Sequence, residues 1–301
     1  MTAKFSTKWG IFQMNELVII SGKGGTGKTS ITASFAALAG NAVLADCDVD
    51  AADLHLLLKP EIKVRHDFKC GHKAVIRTDY CKLCCLCSEI CRFEAVKIID
   101  GKVIIDPFAC EGCGVCVWFC PEQIIDFPES LCGEWYESET RCGPMIYACL
   151  APAAENSGKL VTQVRMAARK TAEKLGKELL LVDGPPGIGC PVIASVTGAT
   201  AVLIVTEPTV SGEHDLERVL KLTRHFKIPA LICVNKWDLN LDITQRIEDR
   251  AITNGAKVMG RIPYDKIFTK AMINGRLVVD YPETMAAKSI NKIWEHICQE
   301  M

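Results

Sequence analysis

The stretch Leu17-Val18-Ile19-Ile20-Ser21-Gly22-Lys23-Gly24-Gly25-Thr26-Gly27-Lys28-Thr29-Ser30 joins a short β-branched apolar run to a glycine-rich turn. Four consecutive large apolar residues without polar alternation predict a strand buried on both faces, as in a parallel sheet. From Ser30 to Leu38, alanine and other small residues predict a helix, with Gly40 as its stop. Between the two, Gly22 to Thr29 match G-x-x-x-x-G-K-[ST], a loop whose backbone N–H groups close around phosphate oxygens. Gly22, Gly24, Gly25 and Gly27 let the backbone turn inward, with Lys23 and Thr26 between them, and the helix N-terminus adds about half a positive charge. Lys28 is placed to neutralise the β- and γ-phosphates of a nucleotide, and the Thr29 hydroxyl to bind Mg²⁺. A glycine turn with a chance lysine would lack the flanking strand and helix, and both are present.

A magnesium nucleotide site also needs carboxylates at the ends of neighbouring strands. Ala42 to Ala45 predict a second buried strand, which runs into Asp46-Cys47-Asp48-Val49-Asp50. Leu179 to Val182 predict another, followed by Asp183-Gly184-Pro185-Pro186-Gly187. Asp183 is expected to hold Mg²⁺ through water, Gly187 to bring its N–H to the γ-phosphate, and Asp46 or Asp48 to orient the attacking water. Further strands at Ala201–Thr206, Leu231–Val234 and Lys257–Ile262 alternate with helical patterns at about 161 to 175, 212 to 226, 242 to 253 and 284 to 300. That alternation predicts an α/β fold, a doubly wound parallel sheet with helices on both faces.

Between about 70 and 127 the texture changes to a cysteine-rich segment, with short strand patterns at Val96–Ile99 and Val103–Ile105 around the turn Asp100-Gly101. The domain organisation expected is therefore a discontinuous large domain, 14–69 and 128–301, carrying an inserted small α+β domain at 70–127, with 1–13 as an extension and 128–150 as a connecting hairpin. Of the 17 cysteines in the chain, Cys81, Cys84, Cys87 and Cys91 are spaced C-x2-C-x2-C-x3-C, and Cys110, Cys113, Cys116 and Cys120 repeat the spacing, followed by Pro121. Such density without an export signal argues for metal ligation in a reducing compartment rather than disulfides. The doubled run resembles that of bacterial two-cluster ferredoxins, in which three close cysteines wrap one [4Fe–4S] cube and the fourth serves the other. The resemblance implies that Cys81, Cys84, Cys87 and Cys120 hold one cluster, and Cys110, Cys113, Cys116 and Cys91 the second. Arg92 stands where a proline often follows the first run. Zinc is the alternative for C-x2-C pairs, but two full runs are more than a Cys₄ site requires. Under about 60 residues, this domain would draw much of its folding free energy from the metal. Of the nine other cysteines, Cys70, Cys85, Cys132, Cys142, Cys149 and Cys190 read as buried small hydrophobes or bystanders, with another metal site as the lesser reading.

The second lysine early in the glycine loop, Lys23, is similar to the deviant loop of the MinD/ParA/Mrp ATPases and the nitrogenase iron protein. The tetrapeptide Asn156-Ser157-Gly158-Lys159 and the run Asp183 to Pro191 add to the likeness. This resemblance implies a P-loop ATPase in which Lys23 reaches across a nucleotide-sandwich homodimer to the partner's nucleotide. It places Asp46 to Asp50 in the first switch, with Asp48 at the water-activating position, and Asp183 to Gly187 in the second. Asn235-Lys236-Trp237-Asp238 resembles the guanine-reading N-K-x-D, but in the MinD-like family an asparagine at this position contacts adenine. Gly260-Arg261-Ile262-Pro263 resembles the family's later base-contacting loop, so ATP is favoured over GTP. The C-x-x-C pair that Mrp-type scaffolds carry near the C-terminus is absent from this sequence.

Charges sum to −1 and the pI is near 6.6, so no whole-molecule basic field exists to hold nucleic acid or an anionic membrane. No apolar run approaches the length of a membrane span, and the expected location is cytoplasmic. Ile290, Ile293, Trp294 and Ile297 recur at helical spacing and predict a core helix rather than a membrane-binding one. The expected function is an ATP-hydrolysing switch coupled to electron transfer through two clusters, with an unidentified redox or iron–sulfur protein as partner. Alternatives are an ATPase that assembles or carries clusters, or one that positions a partner complex.

Overall fold

The computed structural model describes residues 14–151 and 157–301; the extension 1–13 and Asn156 of the quoted tetrapeptide lie outside the described residues. Contacts divide the described residues into two compact units: one formed by 14–66, Trp135–Cys149 and Ser157–Met301, the other by Asp67–Glu134 with Leu150 and Ala151. The boundary falls inside two strands, at 66/67 and 134/135, where the change in composition had suggested 69/70 and 127/128.

The first unit carries, in chain order, β1 (Asn15–Ser21), α1 (Lys28–Ala39), β2 (Ala42–Asp46), α2 (Leu54–Leu58), β3 (Glu61–His72), β4 (Glu129–Thr140), β5 (Gly143–Leu150), α3 (Ser157–Leu175), β6 (Leu179–Pro186), α4 (Cys190–Val196), β7 (Ala201–Thr206), α5 (Val210–His225), β8 (Ala230–Asn235), α6 (Leu241–Thr253), β9 (Lys257–Ile262), α7 (Ile267–Ile273) and α8 (Met285–Glu300). The sheet order is β9-β8-β7-β1-β6-β2-β5-β4-β3. From β9 to β5 neighbouring strands are parallel. The expectation of a wholly parallel sheet is corrected at the other edge: β4 and β5 are joined through only Arg141-Cys142, a reversal too short for a parallel crossover, so the sheet is mixed.

Leu17, Val18, Ile19 and Ile20 are all fully buried because helices cover both faces of β1. Leu17 and Ile19 face a core shared with Ile31 and Phe35 of α1 and with Ile290, Ile293 and Ile297 of α8. Alternate side chains face the layer of α3 and α4, where Ile20 meets Gly184. The C-terminal helix is thus a core element, with the Trp294 ring 5.1 Å from that of Phe35. β1 lies between β6 and β7, so the connections leave it in opposite directions and open a crevice at the carboxyl ends of the strands. Pairing of Asp183 with Asp46 and with Ile19 sets both acidic strand ends beside the glycine loop.

The second unit is built on a repeat of 29 residues. Leu83, Cys85 and Glu94 adopt positive φ of 52°, 60° and 53°, and so do Gly112, Gly114 and Gln123, each 29 positions later. Short helices Leu86–Glu89 and Val115–Phe119 follow the same offset. Val96–Ile99 pairs antiparallel with Lys102–Ile105 around Asp100-Gly101, whose positive φ values suit a tight hairpin turn, and Val75–Ile76 pairs with Ile125–Asp126. Cys70 and Cys132 form a disulfide between β3 and β4, which corrects the expectation that all the cysteines are thiols. Their Cα atoms stand 5.8 Å apart on the two strands, within the span a disulfide bridges without moving the backbone.

Candidate functional site

The loop from Ser21 to Lys28 leaves β1 and enters α1 through Gly27, whose φ of +89° is left-handed. A Cβ there would sit 2.6 Å from Asn235 Nδ2, so the position excludes any side chain. No side chain caps α1, which leaves its first N–H groups directed at the loop. Thr26 is buried, and its hydroxyl has no hydrogen-bond partner among the described residues. An uncapped helix start beside a buried orphan hydroxyl fits an oxyanion ligand.

Lys28, Thr29 and Asp183 are brought together. Lys28 Nζ lies 2.8 Å from Asp183 Oδ1, and the Thr29 hydroxyl donates to Asp183 Oδ2 at 2.8 Å. The Thr32 hydroxyl donates to Oδ1 at 2.9 Å, a contact not foreseen, although a hydroxyl one helical turn after Lys28 was its signal. Asp48 Oδ2 stands 3.5 Å from Lys28 Nζ. Burial works against the Lys28 ammonium, but Asp183, Asp48 and Asp46 outweigh it and hold its pKa above the ordinary lysine value. Burial, with Asp183 nearby and Lys28 opposing, raises the Asp48 carboxyl to about 6. Asp46 is fully buried and accepts the N–H groups of Asp48 and Leu54, both at 3.1 Å. Of the two candidates for orienting water, Asp46 therefore anchors the segment and Asp48 faces the lysine.

Other residues take places the sequence did not suggest. Gly187 N–H donates to the Ser21 carbonyl at 2.8 Å. Asn235 Nδ2 donates to the Thr26 carbonyl at 2.8 Å and braces the loop from below, with its side chain buried. Lys23 Nζ pairs with Glu207 at 2.7 Å and donates to the Thr209 and Ser211 hydroxyls, all within its own chain. Glu207 also holds Lys236, which donates to the Gly25 carbonyl at 3.1 Å. Burial would raise the Glu207 carboxyl, but the two lysines hold it below the ordinary value. Glu207 went unnoticed, though it follows the carboxyl end of β7 as the other acidic site residues follow theirs. Pro263 lines a cavity of about 410 Å³ with Trp237, Gly260 and Arg261, whose guanidinium lies 5.4 Å from the Trp237 ring centre.

In the second unit, Cys81, Cys84, Cys85, Cys87 and Cys120 line a cavity of about 20 Å³ with Ile76, Val103, Ile125 and Pro121. Cys91, Cys110 and Cys116 pack against the same small core as Cys87, and Cys113 is exposed, as is its repeat partner Cys84. Burial, then the neighbouring thiols of Cys110, Cys113 and Cys87, raise Cys116 to about 11. Among the described residues no three His, Cys, Asp or Glu side chains converge closely enough to hold a single metal ion.

The model of the CobQ/CobB/MinD/ParA nucleotide binding domain matches residues 17–278. The chain belongs to this family. It is a P-loop ATPase of the MinD/ParA type, and the loop, the two acidic strand ends and the brace at Asn235 lie within the matched span. Uncharacterized protein MJ0578 of Methanocaldococcus jannaschii is 32% identical over 286 residues, covering 94% of this chain and 96% of its own. From the same organism, uncharacterized ATP-binding protein MJ0547 is 25% identical over 297 residues, covering 92% and 85%. The cell division ATPase MinD of Pyrococcus furiosus shares the fold, with a TM-score of 0.58 at 18% identity over 95% of this chain and 99% of that one. MinD of Pyrococcus horikoshii, solved with Mg-ADP, gives 0.54 at 17% over 95% and 96%. Among the described residues no helix of this MinD/ParA-type chain is long and apolar enough to cross a membrane.

Proposed function

We propose that this ATPase is an iron–sulfur protein in which nucleotide-driven movement of two loops is coupled to electron transfer through two [4Fe–4S] clusters. The observation that carries the reading is the cavity walled by Cys81, Cys84, Cys87 and Cys120, drawn from both runs of the 29-residue repeat. Cys91, Cys110, Cys113 and Cys116 are the counterpart set by the same offset. Eight cysteines in two sets of four match the ligand count of two cubes, which is more than one Cys₄ zinc site requires. When bound, such clusters supply one-electron carriers. Beside the first set, Leu83 N–H donates to Cys81 Sγ at 3.4 Å.

At the nucleotide end, Thr29 and Asp183, joined by a 2.8 Å hydrogen bond, are the groups that would hold Mg²⁺. Lys28 neutralises the terminal phosphates, and Asp48 accepts a proton from, or orients, the attacking water. Cys47 N–H donates to the Asp183 carbonyl at 2.8 Å, which joins the two acidic segments. Bringing Gly187 N–H to a γ-phosphate requires it to leave Ser21, a discrete change between two hydrogen bonds. Lys23 would exchange Glu207 for the nucleotide of a second copy in an ATP-bound homodimer, with adenine read near Asn235 and Pro263.

Protein prepared without oxygen is expected to contain about eight iron and eight sulfide per chain, to hydrolyse ATP, and to lose hydrolysis in Lys28→Ala and half its iron in Cys113→Ala. Colourless, iron-poor material would sink the cluster reading. A midpoint potential and an electron-transfer rate both indifferent to ATP and ADP would sink the coupling. Ready transfer of iron and sulfide to an apo-ferredoxin would favour carriage instead.

A further inference from the structure

A cavity of about 800 Å³ lies between the outer face of α3 and the end of β4 in the ATPase unit, remote in sequence from the nucleotide loop. This volume falls in the range of small-molecule sites. The buried stripe of α3, Leu160, Val161, Val164 and Ala168, faces the sheet. Its other stripe offers Met166, about half exposed, and Leu175 to the cavity, apolar side chains where a solvated helix face would carry polar ones. Lys159, Lys170 and Lys174 flank them, and Lys170 and Lys174 have no ion pair among the described residues.

On the opposite wall the Trp135 ring stacks on His66 with 3.8 Å between centres, and His66 in turn bonds Glu137 at 3.0 Å. The one carboxylate at the rim is thereby engaged, and the indole plane is fixed. Trp135 Nε1 is buried and has no hydrogen-bond partner among the described residues. In a chain of net charge −1, this concave surface concentrates positive charge over apolar side chains.

From this we infer that the groove binds a small amphipathic organic anion, its carboxylate, sulfonate or phosphate on Lys170 and Lys174 and its apolar body against Met166 and Trp135. The thirteen N-terminal residues are the wrong sign to fill it, since they carry Lys4 and Lys8 and no acid. The test is a fluorescence titration of the oxygen-free full chain with 8-anilinonaphthalene-1-sulfonate, a flat aromatic sulfonate. One saturable site is expected, displaced by decanoate and not by decanol, and weakened about tenfold or more in the double variant Lys170→Gln/Lys174→Gln, whose changes are exposed and leave ATP hydrolysis unchanged. Trp135→Ala, which removes the aromatic wall, should weaken it too. Equal binding by the Lys170→Gln/Lys174→Gln variant, displacement by decanol as well as by decanoate, or displacement by an acidic amphipathic peptide at lower concentration than any small acid would overturn the inference.

Discussion

At the scale of single residues, the site is a balance among Lys28, Asp48 and Asp183, and Asp48 is the member left partly open. Burial raises its carboxyl to about 6, so it is protonated below that pH and a carboxylate above it. A proton acceptor works only as the carboxylate, so ATP hydrolysis should rise with pH along a limb centred near 6. Asp48→Asn should abolish that limb and lower kcat by about 10²- to 10⁴-fold while ATP still binds, which a pH–rate profile beside a nucleotide titration checks. An unchanged acid limb in the variant would assign the titration elsewhere. Asn235 makes a different prediction. Its amide holds the Thr26 carbonyl, so Asn235→Ala should loosen the loop at a cost of about 1–3 kcal/mol and raise KM for ATP more than it lowers kcat. A fall in kcat alone would mean that Asn235 acts on the reaction and not on the loop.

At the scale of elements, α8 shows what a correct apolar pattern is worth. Trp294 packs on Phe35 of α1, the helix that opens with Lys28, so Trp294→Ala should destabilise the ATPase unit by about 3–5 kcal/mol in a denaturant titration. A loss under about 1 kcal/mol would show the helix to be peripheral. That helix, and the strands β1, β2, β6, β7 and β8, were legible in the sequence because each buries a continuous or helically spaced apolar set, and β9 through its place in the strand–helix alternation. β3 and the outer half of β4 were not. Glu-Ile-Lys-Val-Arg-His, from residue 61 to 66, is largely exposed at the sheet edge, and a charged edge strand trades the apolar signal for protection against further pairing. The same division runs through the site. Lys28, Thr29, Asp48 and Asp183 could be named because their roles follow from position along one loop or at one strand end. The pairing of Lys23 with Glu207, the brace from Asn235 and the engagement of Gly187 with Ser21 join residues far apart in the chain, and no local spacing encodes them.

At the scale of the whole molecule, the two units differ in what holds them. The ATPase unit has a core running through both faces of a nine-stranded sheet, whereas the second unit packs little more than Ala74, Cys87, Val96, Val103 and Ile125. So small a core does not stabilise a fold unaided. Cys70 and Cys132 close a loop of 62 residues around all eight repeat cysteines, a constraint worth about 4 kcal/mol on chain-entropy grounds. If ligation supplies the remainder, stripping iron and breaking that bond should unfold the second unit while the first still binds nucleotide. Hydrogen exchange on iron-free Cys132→Ser is expected to show protection lost between about 73 and 131 and retained in β1, β6 and β7, with ATP affinity unchanged within a factor of about two. Iron-free wild type with the disulfide intact should fall between the two, because the closed loop restrains the unfolded ensemble without rebuilding a core. Simultaneous loss of protection in both units would mean that they fold as one, and the cysteine unit would then have to be credited with stability its apolar contacts do not supply.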